Sequence, residues 1–181
     1  MKIVKQKQKR HDWLKKPLCT SRIRRWLVDE GSLTARLKAC YADFAVQPVM
    51  LQYAKALRDE TGMLGLRRHE SALIREVLLM GGGQPVVFAH SVLPRTSLRG
   101  SWRGLGKLGN KPLGAALFAN PKVKRTPLEY KKLSAGSPVS MRLSEHIQIG
   151  GDMVWARRSV FRLGESKILV TEIFLPHILA P

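Results

Sequence analysis

The first strongly apolar segment of strand length is LIREVLLM at 73–80, and a second, VVFAHSVL at 86–93, follows Gly81-Gly82-Gly83-Gln84-Pro85. Glycine tolerates positive φ and proline fixes its own, so the residues between predict the turn of a hairpin, with Pro94 closing the return strand. Phe44 to Tyr53 is rich in strand formers but contains Pro48, which suits an edge strand or a bulge. Three further strand patterns run over Val139 to Ile147, Met153 to Leu163 and Lys167 to Leu175. Their connections are too short for parallel neighbours, which need crossovers of about a dozen residues.

Helical signals are weaker. Trp26, Leu27, Leu33 and Leu37 are interrupted by Gly31-Ser32, so one short helix is expected to end at Gly31 and another to begin with Ser32 as its N-cap. Residues 54–70 are polar, and 98–118 read as a glycine-rich loop ending in a short helix at Ala115 to Phe118. No internal repeat occurs. The pattern predicts an α+β fold, an antiparallel β-sheet with helices on one side. Residues 1–20 lack apolar periodicity and read as a basic extension, with order beginning close to Trp26 and a single folded domain spanning 21–181.

A length of 181 residues with 44% hydrophobic and 25% charged positions fits one globular domain. No apolar run reaches the roughly 18 residues of a membrane span, and the basic N-terminus has no apolar stretch of a secretory signal behind it. A cytoplasmic protein is the expectation. Cys19 and Cys40 form no CxxC pair and no histidine stands at metal-ligand spacing, so neither disulfides nor a metal are predicted. The net charge of +19 attracts polyanions, but ten basic residues against one acid, Asp12, fall within residues 1–25. Charge alone leaves open a solvated tail and surface, attraction of an anionic substrate, or electrostatic association with a membrane surface or nucleic acid.

Candidate chemistry comes from charges placed among hydrocarbon. In the last strand Glu172 shares its face with Ile168, Val170 and Phe174, while the alternate positions are apolar too. A carboxylate there needs a cation, donors or a ligand, since desolvating it alone costs several kcal/mol. Arg75 likewise shares a face with Leu73, Val77 and Leu79. One explanation is that Arg75 clamps a ligand carboxylate while Glu172 accepts a hydrogen bond from a hydroxyl at the far end of a flat, apolar molecule. The alternatives are that Arg75 pairs with Glu172, or that the adjacent Glu76 satisfies it.

GLGKLG at 104–109 fits the dinucleotide fingerprint, with Glu129 twenty residues beyond, but no apolar strand precedes it and Glu129 lies in a lysine-rich stretch. These glycines are better explained as shaping a ligand loop. The five histidines sit in no nucleophilic or metal motif; only His90 stands on a strand beside that of Arg75.

Four stretches resemble the chorismate lyase family: WLVDEGSLTARL at 26–37; IREVLL at 74–79 with VVFAHSVLP at 86–94; LGKLGNKPLGAALF at 105–118; and WARRSVFRL at 155–163 with LVTEIFLP at 169–176. The resemblance covers residues 26–176. It implies an antiparallel sheet and a cavity beneath helical flaps, in which chorismate becomes 4-hydroxybenzoate and pyruvate without cofactor or metal, for ubiquinone or related pathways. By motif position the product carboxylate would meet Arg75 and the backbone amide of Leu113, the hydroxyl would meet Glu172, and the amide of Leu33 would add a contact. Relatives often have Met at the position of Leu33. Aromatisation would drive the elimination, with orientation and hydroxyl binding as the first expected role of Glu172 and general base as the second. A monomer is expected, with no specific nucleic-acid partner. The competing functions are a ligand-sensing domain of the same fold, for which the residues ahead of Trp26 are too few to hold a winged helix, and a basic nucleic-acid-binding module.

Overall fold

The predicted hairpin is the centre of the molecule. In a computed structural model describing residues 13–19, 21–148, 150 and 153–179, strands β2 (Ser71–Gly81) and β3 (Gln84–Pro94) pair in register, Arg75 opposite Ser91 and Val77 opposite Ala89. Their two-residue turn places Gly82 at φ 61° and Gly83 at φ 71°, values that glycine adopts without steric cost. The Asp43 carboxylate accepts from both turn amides, at 2.9 and 2.7 Å.

Around the hairpin, β1 (Ala45–Lys55), β7 (Ser166–Phe174), β6 (Val154–Leu163), β4 (Lys124–Arg125) and β5 (Glu129–Leu133) complete a sheet ordered β1-β2-β3-β7-β6-β4, with β5 also on β6. Every pairing is antiparallel. β1 is the edge strand expected from Pro48, and its register shifts between Pro48 and Met50. The α+β class and the antiparallel sheet match the sequence pattern.

Helices α1 (Ser21–Leu27), α2 (Leu33–Cys40) and α5 (Leu113–Phe118) pack on the face carrying Leu73, Val77 and Leu79. Helix α4 (Arg95–Arg99) follows β3. Helices α3 (Arg58–Leu64) and α6 (Pro138–Ser144) pack on the opposite face, against Ile74, Leu78, Phe88 and Val92, so the cover is two-sided where one side was expected. The double cover explains why both parities of β2, β3 and β7 are apolar.

Further expectations need correction. The strand over Val139 to Ile147 is instead α6: its apolar residues alternate, but Pro138 at the first turn after Ser137 starts a helix, and Met141 is left 58% exposed while Val139 and Leu143 are buried. Residues 129–133, polar by composition, form β5, burying Tyr130 and Leu133. Order precedes Trp26, because the backbone of Leu14 exchanges hydrogen bonds of 2.7 and 2.8 Å with Tyr130, and the Trp13 indole donates to Asp59. Residues 1–12 and 20 of the expected extension lie outside the described residues. Helix α2 starts as expected, the Ser32 hydroxyl accepting from the Ala35 amide at 3.3 Å; α1 ends at Leu27, short of Gly31.

Candidate active site

Register places the two singled-out charges on one sheet face. Arg75 is level with Ser91 on β3, which is level with Val170 on β7; Glu172 is two residues further along β7. Two strand spacings and two residues of rise put their Cα atoms about 12 Å apart on the diagonal. Between them lies a narrow, partly open cavity lined by both residues and by Val77, Ala89, Val170 and Phe161. The lid is made from α2 and α5, which supply Leu33, Thr34, Leu113 and Leu117. Gly114 lets these helices meet, since a Cβ there would stand 3.3 Å from the Thr34 hydroxyl.

Arg75 is 4% exposed, and burial pulls its pKa below the ordinary arginine value. Its Nη2 donates to the carbonyls of Gly109 and Lys111 at 3.1 and 2.9 Å, and no ion pair among the described residues includes it. Both alternatives for Arg75 therefore fail. Glu172 is paired elsewhere, and Glu76, though adjacent, projects from the other face of β2. The glycine-rich loop contributes the two carbonyls that hold the guanidinium, with Gly104 at φ 97° and Gly109 at φ 53°.

Glu172 is held by Arg157, a residue missed in the sequence. Arg157 Nε donates to Glu172 Oε2 at 2.6 Å, and Nη1 donates to the carbonyls of Trp26, Leu27 and Asp29 at the end of α1. Its side chain is 1% exposed, against 15% for Glu172. Helix ends leave carbonyls without intrahelical donors, so Arg157 ties the end of α1 to the acid it orients. Arg157 Nη2 has no hydrogen-bond partner among the described residues. Arg125, also unforeseen, lines the same cavity, with Nε donating to the Ser159 hydroxyl at 2.8 Å and Nη1 to the Glu30 carbonyl at 2.9 Å.

Behind the cavity lies a second charged group. Glu76 is fully buried between His90 Nδ1 at 2.8 Å, His146 Nε2 at 2.7 Å and Arg142 Nε at 3.0 Å. Burial opposes ionisation, yet hydrogen bonds from His90, His146 and Arg142 hold the Glu76 carboxyl at about 2. Burial likewise disfavours charge on His90, but the hydrogen bond to Glu76 and the nearby Glu60 and Glu76 carboxylates push it up to about 9. Its Nε2 lies 3.2 Å from Glu60 Oε1 without hydrogen-bond alignment. His90 thus belongs to the network under the sheet, away from the cavity.

A family profile described as chorismate lyase matches residues 8–180. The chain belongs to the chorismate lyase family. Among curated relatives named probable chorismate pyruvate-lyase, the protein of Nitrosospira multiformis is 50% identical over 170 residues, covering 93% of this chain and 94% of its own. That of Thiobacillus denitrificans is 44% identical over 180 residues, covering 99% and 96%. The lyase fold is shared with solved regulator structures. A GntR-family transcriptional regulator from Bacillus cereus superposes with TM-score 0.55 at 11% identity, covering 75% of this chain and 93% of that one. The C-terminal domain of the histidine utilization repressor of Pseudomonas syringae pv. tomato gives 0.53 at 12%, covering 74% and 92%. No helix among the described residues is long and apolar enough to cross a membrane.

Proposed function

We propose that this chorismate lyase family member converts chorismate to 4-hydroxybenzoate and pyruvate in the cavity between Arg75 and Glu172. The observation that carries this is the Arg75 guanidinium, dry, facing the cavity and without an acid partner among the described residues. A buried cation is tolerated there when a ligand carboxylate completes it. Glu172, at the other end and fixed by Arg157, accepts the hydrogen bond of the ring hydroxyl. Leu33 and Leu113 open α2 and α5, where first-turn amides lack intrahelical acceptors, and both line the cavity, so their amides serve as further donors.

The elimination breaks the ring carbon to ether oxygen bond and removes the hydrogen from the neighbouring, hydroxyl-bearing carbon. The ring becomes aromatic and the released enol becomes pyruvate. Aromatisation supplies the driving force, so positioning and water exclusion suffice for the protein. Glu172, a carboxylate beside that carbon, orients the hydroxyl first and is the nearest candidate to take the proton. The apolar walls Val77, Ala89, Val170 and Phe161 hold the flat ring.

The test incubates purified protein with chorismate in chelator-treated buffer and follows 4-hydroxybenzoate by chromatography and pyruvate by a coupled reduction. Stoichiometric release of both is expected. Binding of 4-hydroxybenzoate without any turnover would reject the lyase in favour of a sensor domain.

A further inference from the structure

The cavity holds more positive charge than one carboxylate needs. Arg157 and Glu172 neutralise each other at 2.6 Å, whereas Arg75 and Arg125 both line the cavity and enter no ion pair among the described residues. Arg125 stacks over Phe161 and Phe118, with its guanidinium carbon 5.1 and 5.6 Å from the ring centres. Its Nε is fixed by Ser159 and its Nη1 by the Glu30 carbonyl, which leaves Nη2 without a hydrogen-bond partner among the described residues.

Register locates this head group. Ser159 is level with Val170, Ser91 and Arg75, so one row across β6, β7, β3 and β2 has a guanidinium at each end. Three strand spacings separate the ends by about 14 Å at the backbone. Glu172 stands on the next row, between them and nearer the Arg125 end.

We propose that Arg125 receives the second carboxylate of the substrate, the one on the enolpyruvyl side chain, so that the cavity is built for a dianion. This inference rests on the lyase function proposed above and extends it. Chorismate carries one carboxylate on the ring and one on the enolpyruvyl ether, and that ether is attached to the carbon next to the one bearing the hydroxyl. With the ring carboxylate on Arg75 and the hydroxyl on Glu172, the second carboxylate falls beside Glu172, on the Arg125 side. The two free cations match the two anionic charges. A guanidinium there also stabilises the negative charge that grows on the departing enol oxygen as the ring C–O bond breaks. Once the bond is cut each product carries one carboxylate, so pyruvate keeps only the Arg125 contact and 4-hydroxybenzoate only those at Arg75 and Glu172.

The experiment compares two ligands. Chorismate needs both arginines, whereas 4-hydroxybenzoate needs only Arg75. Arg125→Gln is expected to lower kcat/KM for chorismate roughly ten- to a hundred-fold, the loss of one charge-assisted contact, while the inhibition constant of 4-hydroxybenzoate stays within about two-fold. Arg125→Lys, which keeps the charge, should recover most of the loss and serves as the deciding variant if the Gln form does not fold. A residue that only braced the lid would move both constants together, and that result, or an unchanged kcat/KM, would overturn the inference. Calorimetric binding of both ligands separates the two claims. A wild-type protein that prefers the dianion through Arg125 yet shows no turnover would reject only the lyase, and turnover indifferent to Arg125 would reject only this site.

Discussion

Replacing Arg75, which lines the cavity, or Arg157, which braces Glu172, by methionine should have opposite consequences. Arg75→Met removes a desolvated cation whose partners are two carbonyls at 3.1 and 2.9 Å. The hydrogen bonds lost are worth about 1.5 to 3 kcal/mol each, but the burial penalty of the ion, also several kcal/mol, is removed with them. The net change in stability should stay within about 1.5 kcal/mol. Arg157→Met strips the cation from Glu172 and the donor from three helix-end carbonyls, which leaves an uncompensated acid and should cost about 3 to 5 kcal/mol. For a chain of this size each kcal/mol moves Tm by about 2 to 4 °C, so Arg157→Met should fall by roughly 6 to 20 °C and Arg75→Met by only a few. Activity should order differently: Arg75→Met loses at least about 100-fold in kcat/KM for chorismate despite its intact fold. Thermal denaturation and a turnover assay on both variants read this directly. An Arg75→Met protein as destabilised as Arg157→Met would show that Arg75 is a structural ion and refute the argument.

The network beneath the sheet makes stability depend on pH. His90 titrates at about 9 in the folded chain against 6.5 unfolded, so its contribution is complete below about 6.5 and fades as pH rises toward 9, on the order of 3 kcal/mol in all. Denaturant midpoints should fall over that window, and His90→Gln should flatten the slope; an equal slope in the variant would contradict it. Glu76, lowered from 4.5 to about 2, contributes fully above about 4.5 and loses its share as pH falls toward 2, so acid unfolding of Glu76→Gln should begin from lower stability but with a shallower pH dependence. At the hairpin, a Cβ on Gly81 would stand 2.5 Å from the Tyr41 ring, so Gly81→Ala should cost about 1 to 3 kcal/mol, and pairing it with Tyr41→Ala should cost less than the sum of the two changes.

Much of the site was legible because strand alternation exposes charges that share a face with hydrocarbon. Arg75 and Glu172 stand out that way, and the structure brings both to one cavity. The same parity argument applied to WARRSVFRL reaches Arg157, which shares its face with Trp155 and Phe161. Arg125 carries no such signal: its strand is two residues long, inside a lysine-rich stretch that composition marks as surface. The α6 segment shows a different limit, since VSMRLSEHI alternates as a strand would and only the preceding Ser137-Pro138 start signal speaks for a helix. The two-sided helical cover was hidden for a related reason: doubly apolar strands reveal burial on both faces without saying what provides it. Glu76 looked available to Arg75 because the two are neighbours in sequence, but pleating sends neighbours to opposite faces.

The proposed reaction fixes where 4-hydroxybenzoate must bind. A crystal structure of the protein soaked with 4-hydroxybenzoate should place the carboxylate within hydrogen-bonding distance of the Arg75 guanidinium and the hydroxyl on Glu172, with the ring between Val77 and Val170. Density for the ligand outside this cavity, or inside it with the carboxylate turned away from Arg75, would contradict it.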